Sequence, residues 1–160
     1  MPFSTSYANQ ILDFTFGKTA SLSAPSTVYI GLSTNDPEAD GGAFMELSGN
    51  AYARVLITNR GGTYPNLMNS ASIRSITNSQ QINWIKATDD WARVKGFGLF
   101  SSSSGGTPFF YGKLDLTPEE EAAGGILCEA GAVMLFDPYS LKISFPTTDM
   151  DEAAATVNEQ

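Results

Sequence analysis

The stretch KGFGLFSSSSGGTPFFYGK, residues 95–113, decides how the chain is read. Two apolar runs, each too short for a helix, flank a loop of serines and glycines. Glycine supplies unusual backbone angles and serine bonds its own backbone, so the SSSSGG segment reads as a hairpin loop. The run ending at Phe100 is then a strand, and TPFFYGKLDL is its returning partner. Upstream, Trp91, Arg93 and Lys95 alternate with Ala92 and Val94, the two-residue period of a strand.

Working outward, the same pattern recurs. INWIKA (82–87) reads as a further strand, set off from WARVKGFGLF by a turn at TDD. STVYIGLST (26–34) alternates Val28, Ile30 and Leu32 with Tyr29 and Gly31, and AYARVLITN (51–59) is a second strand. ILCEAGAVMLF and SLKISF supply the last strands, broken by the turn DPY. RGGTYPNLMNSAS (60–72) is turn chemistry, rich in glycine with a proline. TPEEEAAGG predicts one helical turn, with Thr117 capping, Pro118 first and Gly124 ending it. At the start, a Ser4 or Thr5 cap and apolar Tyr7, Ile11 and Leu12 predict a helix over about residues 4–16. About seven strands separated by turns predict an all-β fold. The expected form is an antiparallel β-sandwich or jelly roll with a short N-terminal helix. Residues 1–146 form its single domain, and residues 147–160 an acidic C-terminal tail or arm.

Composition narrows the function. Only 16% of the 160 residues are charged, with 9 basic against 17 acidic, a net −8. Such a surface repels phosphate backbones, so no nucleic-acid partner is expected. No apolar run approaches the roughly 20 residues of a membrane span, and no signal peptide opens the chain, so no membrane is expected either. The lone Cys128 lies among apolar residues and reads as a buried, inert thiol. There is no histidine, which removes the commonest general base and metal ligand. Ser101–Ser104 sit in a flexible loop outside any nucleophile motif, and no phosphate-cradling glycine motif is present. Paired carboxylates for glycoside cleavage would have to be Asp89 with Asp90, or Glu119–Glu121. Neighbouring acids on a strand point apart, and the glutamates suit the start of a helix. Neither a catalytic role nor a cofactor is expected.

Two features point to contacts with partners. Trp84, Trp91, Phe97, Phe100, Phe109, Phe110 and Tyr111 crowd one part of the chain. If both Phe109 and Phe110 are buried, each face of their strand needs a cover, from a second sheet or another subunit. The loop DPEADGGAFME (36–46) almost spells an EF-hand, with Asp36, Glu38 and Asp40 alternating before Gly41. Its twelfth position is Leu47, Glu46 arrives one place early, and strands rather than helices flank it. A looser calcium site from Asp36, Glu38 and Asp40 stays open. The preferred reading is a long inter-strand loop, its path set by Pro37 and the glycines, whose acids either keep it solvated or meet basic groups on another protein.

The order of these motifs resembles small virion proteins of tailed bacteriophages. ILDFTFGKTASLSAPSTVYIGLSTNDPEADGGAFMELSGNAYARVLI is similar to their opening, and DDWARVKGFGLFSSSSGGTPFFYGKLDL and EAGAVMLF to their second half. The likeness spans about residues 8–137 and leaves residues 138–160 as an addition. Members carry labels such as tail fibre protein or head decoration protein. The resemblance implies a virion part, assembled in the bacterial host cytoplasm. The absence of coiled-coil heptads or fibrous repeats disfavours a long shaft. The first expectation is therefore a decoration (cement) protein bound to the major capsid protein and to copies of itself. The alternative is a tail or tail-fibre component, possibly one that binds host-surface glycans. Expected contact residues are Asp36, Glu38, Asp40, Glu46, Phe109, Tyr111, Asp149, Asp151 and Glu152.

Overall fold

A computed structural model describes residues 3–22, 25–40, 43–59, 67–72 and 75–144. Helix α1 (Thr5–Thr15) opens the fold, with the Ser4 hydroxyl accepting the Tyr7 N–H as the sequence predicts. Strands β1 (Thr27–Ser33), β2 (Val55–Asn59), β3 (Ser75–Thr77), β4 (Ile82–Asn83), β5 (Gly96–Phe100) and β6 (Phe110–Lys113) follow. After helix α2 (Pro118–Ala122) come β7 (Leu135–Phe136) and β8 (Lys142–Ser144). The fold is all-β and antiparallel with a short N-terminal helix. One sheet has four strands in the order β2-β1-β5-β6, and the pairs β3-β8 and β4-β7 are two-stranded. The described residues thus do not form the two four-stranded sheets of a jelly roll.

The second half of the chain is one long hairpin. Its outgoing arm runs from Ser75 to Phe100, and its returning arm from Phe110 to Ser144. Leu99 pairs with Phe110 and Gly96 with Lys113 beside the serine-glycine loop. The returning chain then leaves for α2 and rejoins at Ile126, which bridges Val94. From there the arms stay together through Ile82–Phe136 to Ser75–Ser144. The predicted pairing across the serine-glycine loop therefore forms, but the TDD segment is no reversal. The amides of Trp84, Ala87 and Trp91 donate to the carbonyls of Met134, Ala132 and Cys128, so residues 82–94 follow a single partner. The acids make a kink rather than a turn back. Asp89 Oδ1 accepts the Asp90 N–H, and Asp90 Oδ1 accepts the Ala130 N–H from the opposite arm.

The predicted 51–59 strand begins only at Val55. Asn50 and Ala51 take left-handed backbone, which no strand accommodates. Ile30, Leu32, Ile57, Ile82, Trp84, Trp91, Val94, Leu99 and Leu141 form the core between the sheet and the curled hairpin. Each such side chain contributes about 1.5–3 kcal/mol by leaving water. Residues 60–66 and the acidic tail lie outside the described residues.

Candidate functional site

The best-built region is the face of the sheet covered by the 34–54 connection. Gly31 and Gly98 are opposite one another on β1 and β5, and Gly96 lies opposite Ser33. Their missing side chains leave a shallow floor. Pro37, fully buried, sits over Gly96, and the Phe44 ring over Gly98 meets Phe100 edge-on at 5.2 Å. The loop therefore lies down on the sheet, which explains the paired glycines of GFG as a matter of space.

Asn35 organises the loop from within. Its amide nitrogen donates to Asp40 Oδ2 (2.6 Å) and to the Ala43 carbonyl (2.9 Å), while its oxygen accepts the Met45 N–H (3.1 Å). Asp36 Oδ1 accepts the N–H groups of Glu38 and Ala39, the local bonding that lets aspartate shape a turn.

Beside it lies an ion pair whose arginine is buried and whose glutamate is half-buried. Arg54 Nε and Nη2 each donate to Glu46 at 2.6 Å, a two-pronged match of guanidinium to carboxylate. Arg54 Nη1 donates to the carbonyls of Ser102 and Gly105 (both 2.9 Å), and the guanidinium carbon stands 3.4 Å from the centre of the Phe100 ring. The Tyr52 hydroxyl accepts the Leu32 N–H and donates to Glu46 Oε1. Burial, opposed by the Leu32 bond and reinforced by the Glu46 charge, raises the Tyr52 pKa well above its usual value. One guanidinium thus ties both long loops to the sheet.

The predicted contact residues divide on this geometry. Glu38 and Asp40 are exposed and Asp36 is half-buried, whereas Glu46 is engaged by Arg54 and Tyr52. Asp36, Glu38 and Asp40 do not converge. Among the described residues no three His, Cys, Asp or Glu side chains are grouped to hold a metal. The looser calcium site is therefore not assembled. Of the three acids Asn35 bonds only Asp40, while Asp36 is turned to the backbone amides of Glu38 and Ala39. Phe109 and Tyr111 are half-buried on the β6 side. The cover expected for the Phe109–Phe110 pair comes from the chain itself. The Phe3 ring lies 4.6 Å from Phe110, and Tyr7 lies 5.3 Å from Phe109 and 5.5 Å from Phe110. Past this anchor, Leu12, Phe14 and Phe16 of the helix end are exposed. Asp149, Asp151 and Glu152 lie outside the described residues.

Three of the carboxylates considered for catalysis, Asp89, Asp90 and Glu120, have structural partners. Asp89 and Asp90 hold the kink, and Glu120 completes a capping box with Thr117 at the head of α2. Cys128 is buried, and burial pushes its thiol pKa up, away from reactivity. An open cavity of about 720 Å³ lies within the returning arm, between the end of β6 and residues 126–144, with Phe97, Met134 and Phe136 in its lining and Lys113, Asp137 and Lys142 among its charged residues. No described helix is long and apolar enough to cross a membrane. Arg54 and Tyr52 were missed as site residues by sequence reasoning. The signal was an arginine inside an apolar strand pattern, two residues after a tyrosine.

Fold and site together define a β-rich scaffold whose long loops are pinned to a glycine-floored sheet. Its class follows from comparison. A family described as podophage GP4 fiber I protein gp80 matches residues 2–135, and the chain belongs to that family. It is a phage structural protein, a virion component. No curated protein sequence matches the chain.

Proposed function

We propose that the chain is a fibre component of a podophage virion, acting by assembly and contact rather than by turnover. The observation that carries this reading is the fibre-family match over residues 2–135. It reverses the order of the two readings offered by the sequence, in which head decoration came first. What supports a non-catalytic role is the absence of histidine and the engagement of Asp89, Asp90 and Glu120 in backbone bonds. What supports a contact role is the pinning of both long loops by Arg54, since surfaces held rigid lose less entropy on binding.

Purified particles provide the test. Quantitative mass spectrometry should give tens of copies or fewer per particle, and cryo-EM should place the domain in fibres at the tail. Hundreds of copies distributed over the major capsid protein would instead establish the decoration role.

A further inference from the structure

The turn between β7 and β8 contains a backbone anomaly. The Ser140 N–H donates to the Asp137 carbonyl at 3.1 Å, closing a β-turn with Pro138 second and Tyr139 third. Tyr139 has φ 67°, the value that makes this third position favour glycine or asparagine. A bulky residue there is strained, yet its side chain is 67% exposed. Among the described residues the Tyr139 side chain makes no hydrogen bond or ring contact. Among the described residues nothing compensates for the choice of tyrosine.

The turn itself is held from inside. Asn78, fully buried, donates through its amide to the carbonyls of Gln80 and Asp137 (both 2.8 Å) and accepts the Leu141 N–H (2.9 Å). The Tyr139 N–H donates to the Asn78 carbonyl at 2.9 Å. The ring is thus displayed by a fixed backbone. Asn50 and Ala51 share positive φ, but there the Asn50 carbonyl accepts the Trp91 indole and the Thr88 amide, so the core explains the strain. At Tyr139 the strain has no internal use, and unexplained backbone strain concentrates at functional sites.

The side chains on and bonded to the turn indicate what the ring meets. Gln81 Nε2 donates to Asp137 Oδ1 at 3.0 Å, setting an amide and a carboxylate next to the turn. Gln80, Gln81, Asp137 and Ser140 are all exposed. A protein partner would need an apolar centre around its aromatic anchor. A single exposed ring on a turn that carries Asp137, Pro138 and Ser140 and bonds Gln81 suits a saccharide, whose C–H face covers the ring while its hydroxyls bond to amide and carboxylate. Asp137 and the net charge of −8 repel anionic glycans.

We propose that Tyr139, with Gln81 and Asp137, forms a contact site for neutral, hydroxyl-rich glycans. One such contact is weak, and this inference rests on the fibre reading for the many copies that make it effective. The test displays the biotinylated full chain on streptavidin over an array of neutral, sialylated and sulfated oligosaccharides. Wild type and Tyr139→Phe should bind neutral members. Tyr139→Gly and Tyr139→Asn should lose about tenfold or more of that signal. Their melting temperatures should be unchanged or higher by about 2–4 °C, because the strain is relieved. The proposal is overturned if wild type binds no neutral glycan, if Tyr139→Gly keeps its binding, or if that variant melts lower. The position of the chain in the particle is read separately. A chain found on the head that still bound glycans through Tyr139 would overturn the fibre reading and leave this site intact.

Discussion

Gly31 and Gly98 face each other across β1 and β5, and the space they leave is filled from above by the 34–54 connection. A methyl group at Gly98 would stand 2.8 Å from the Phe44 ring, and one at Gly96 would stand 2.5 Å from Pro37 Cδ and 2.9 Å from the Gly112 carbonyl oxygen. At Gly98 the Phe44 ring can swing aside and Pro108 Cβ, at 3.0 Å, needs to give only slightly, whereas at Gly96 Pro37 and the neighbouring backbone cannot move. Gly98→Ala should therefore cost about 1–2 kcal/mol and Gly96→Ala about 3 kcal/mol or more. Urea unfolding midpoints rank the two, and equal stabilities would remove the floor from this account.

Arg54 should be the side chain whose loss loosens most of the molecule. Arg54→Met leaves Glu46 without its partner and the Ser102 and Gly105 carbonyls without a donor. Removing one member of a fully buried pair costs about 3–5 kcal/mol, and the half-buried Glu46 brings the expected loss below that range. An apolar replacement of both members can come close to neutral. The double variant Arg54→Met with Glu46→Leu should accordingly recover part of the stability. Limited proteolysis supplies a second measurement, with Arg54→Met cut first within 36–46 and 101–106. Cleavage elsewhere first would mean that Arg54 does not tie these loops.

Asn78 gives a test by a single atom. Asn78→Asp keeps the shape but replaces the amide donor to Gln80 and Asp137 with a carboxylate oxygen. A buried charge then faces two carbonyls, so a loss of about 3 kcal/mol is expected at neutral pH. Lowering the pH should recover part of it as the carboxyl takes up a proton. Chemical unfolding at pH 7 and pH 4 checks both, and a substitution without effect would show the turn to be held otherwise.

Much of this fold is legible in residue patterns, because alternation and turn chemistry are local signals. The 95–113 hairpin, the Ser4 cap and the Thr117–Glu120 capping box can each be read from neighbouring residues. The partner of a strand is not a local property. TDD looks like a reversal until Asp90 is seen to hold the Ala130 amide on the opposite arm. The packing of the acidic loop is not a local property either. Its spacing shows the carboxylates, but not that Pro37 and Phe44 bury themselves over glycines distant in sequence. Tyr139 was passed over as an ordinary turn residue, since only the backbone angle shows it in the place of glycine.

Tyr52 makes a prediction about alkaline stability. Its folded-state pKa is raised above the ordinary value of 10.0, mainly by burial. Below pH 10 both folded and unfolded chains keep the proton, so this group adds no pH dependence there. Above pH 10 the unfolded chain releases the proton while the folded chain holds it, and stability falls as pH rises. Tyr52→Phe loses the bonds to Leu32 and Glu46 and should be less stable by about 1–2 kcal/mol at pH 8. It also lacks the ionising group, so the gap between the two proteins should narrow from pH 10 upward. Melting temperatures recorded from pH 8 to 11 measure that gap, and a constant difference would mean that Tyr52 ionises as freely in the folded chain as in the unfolded one.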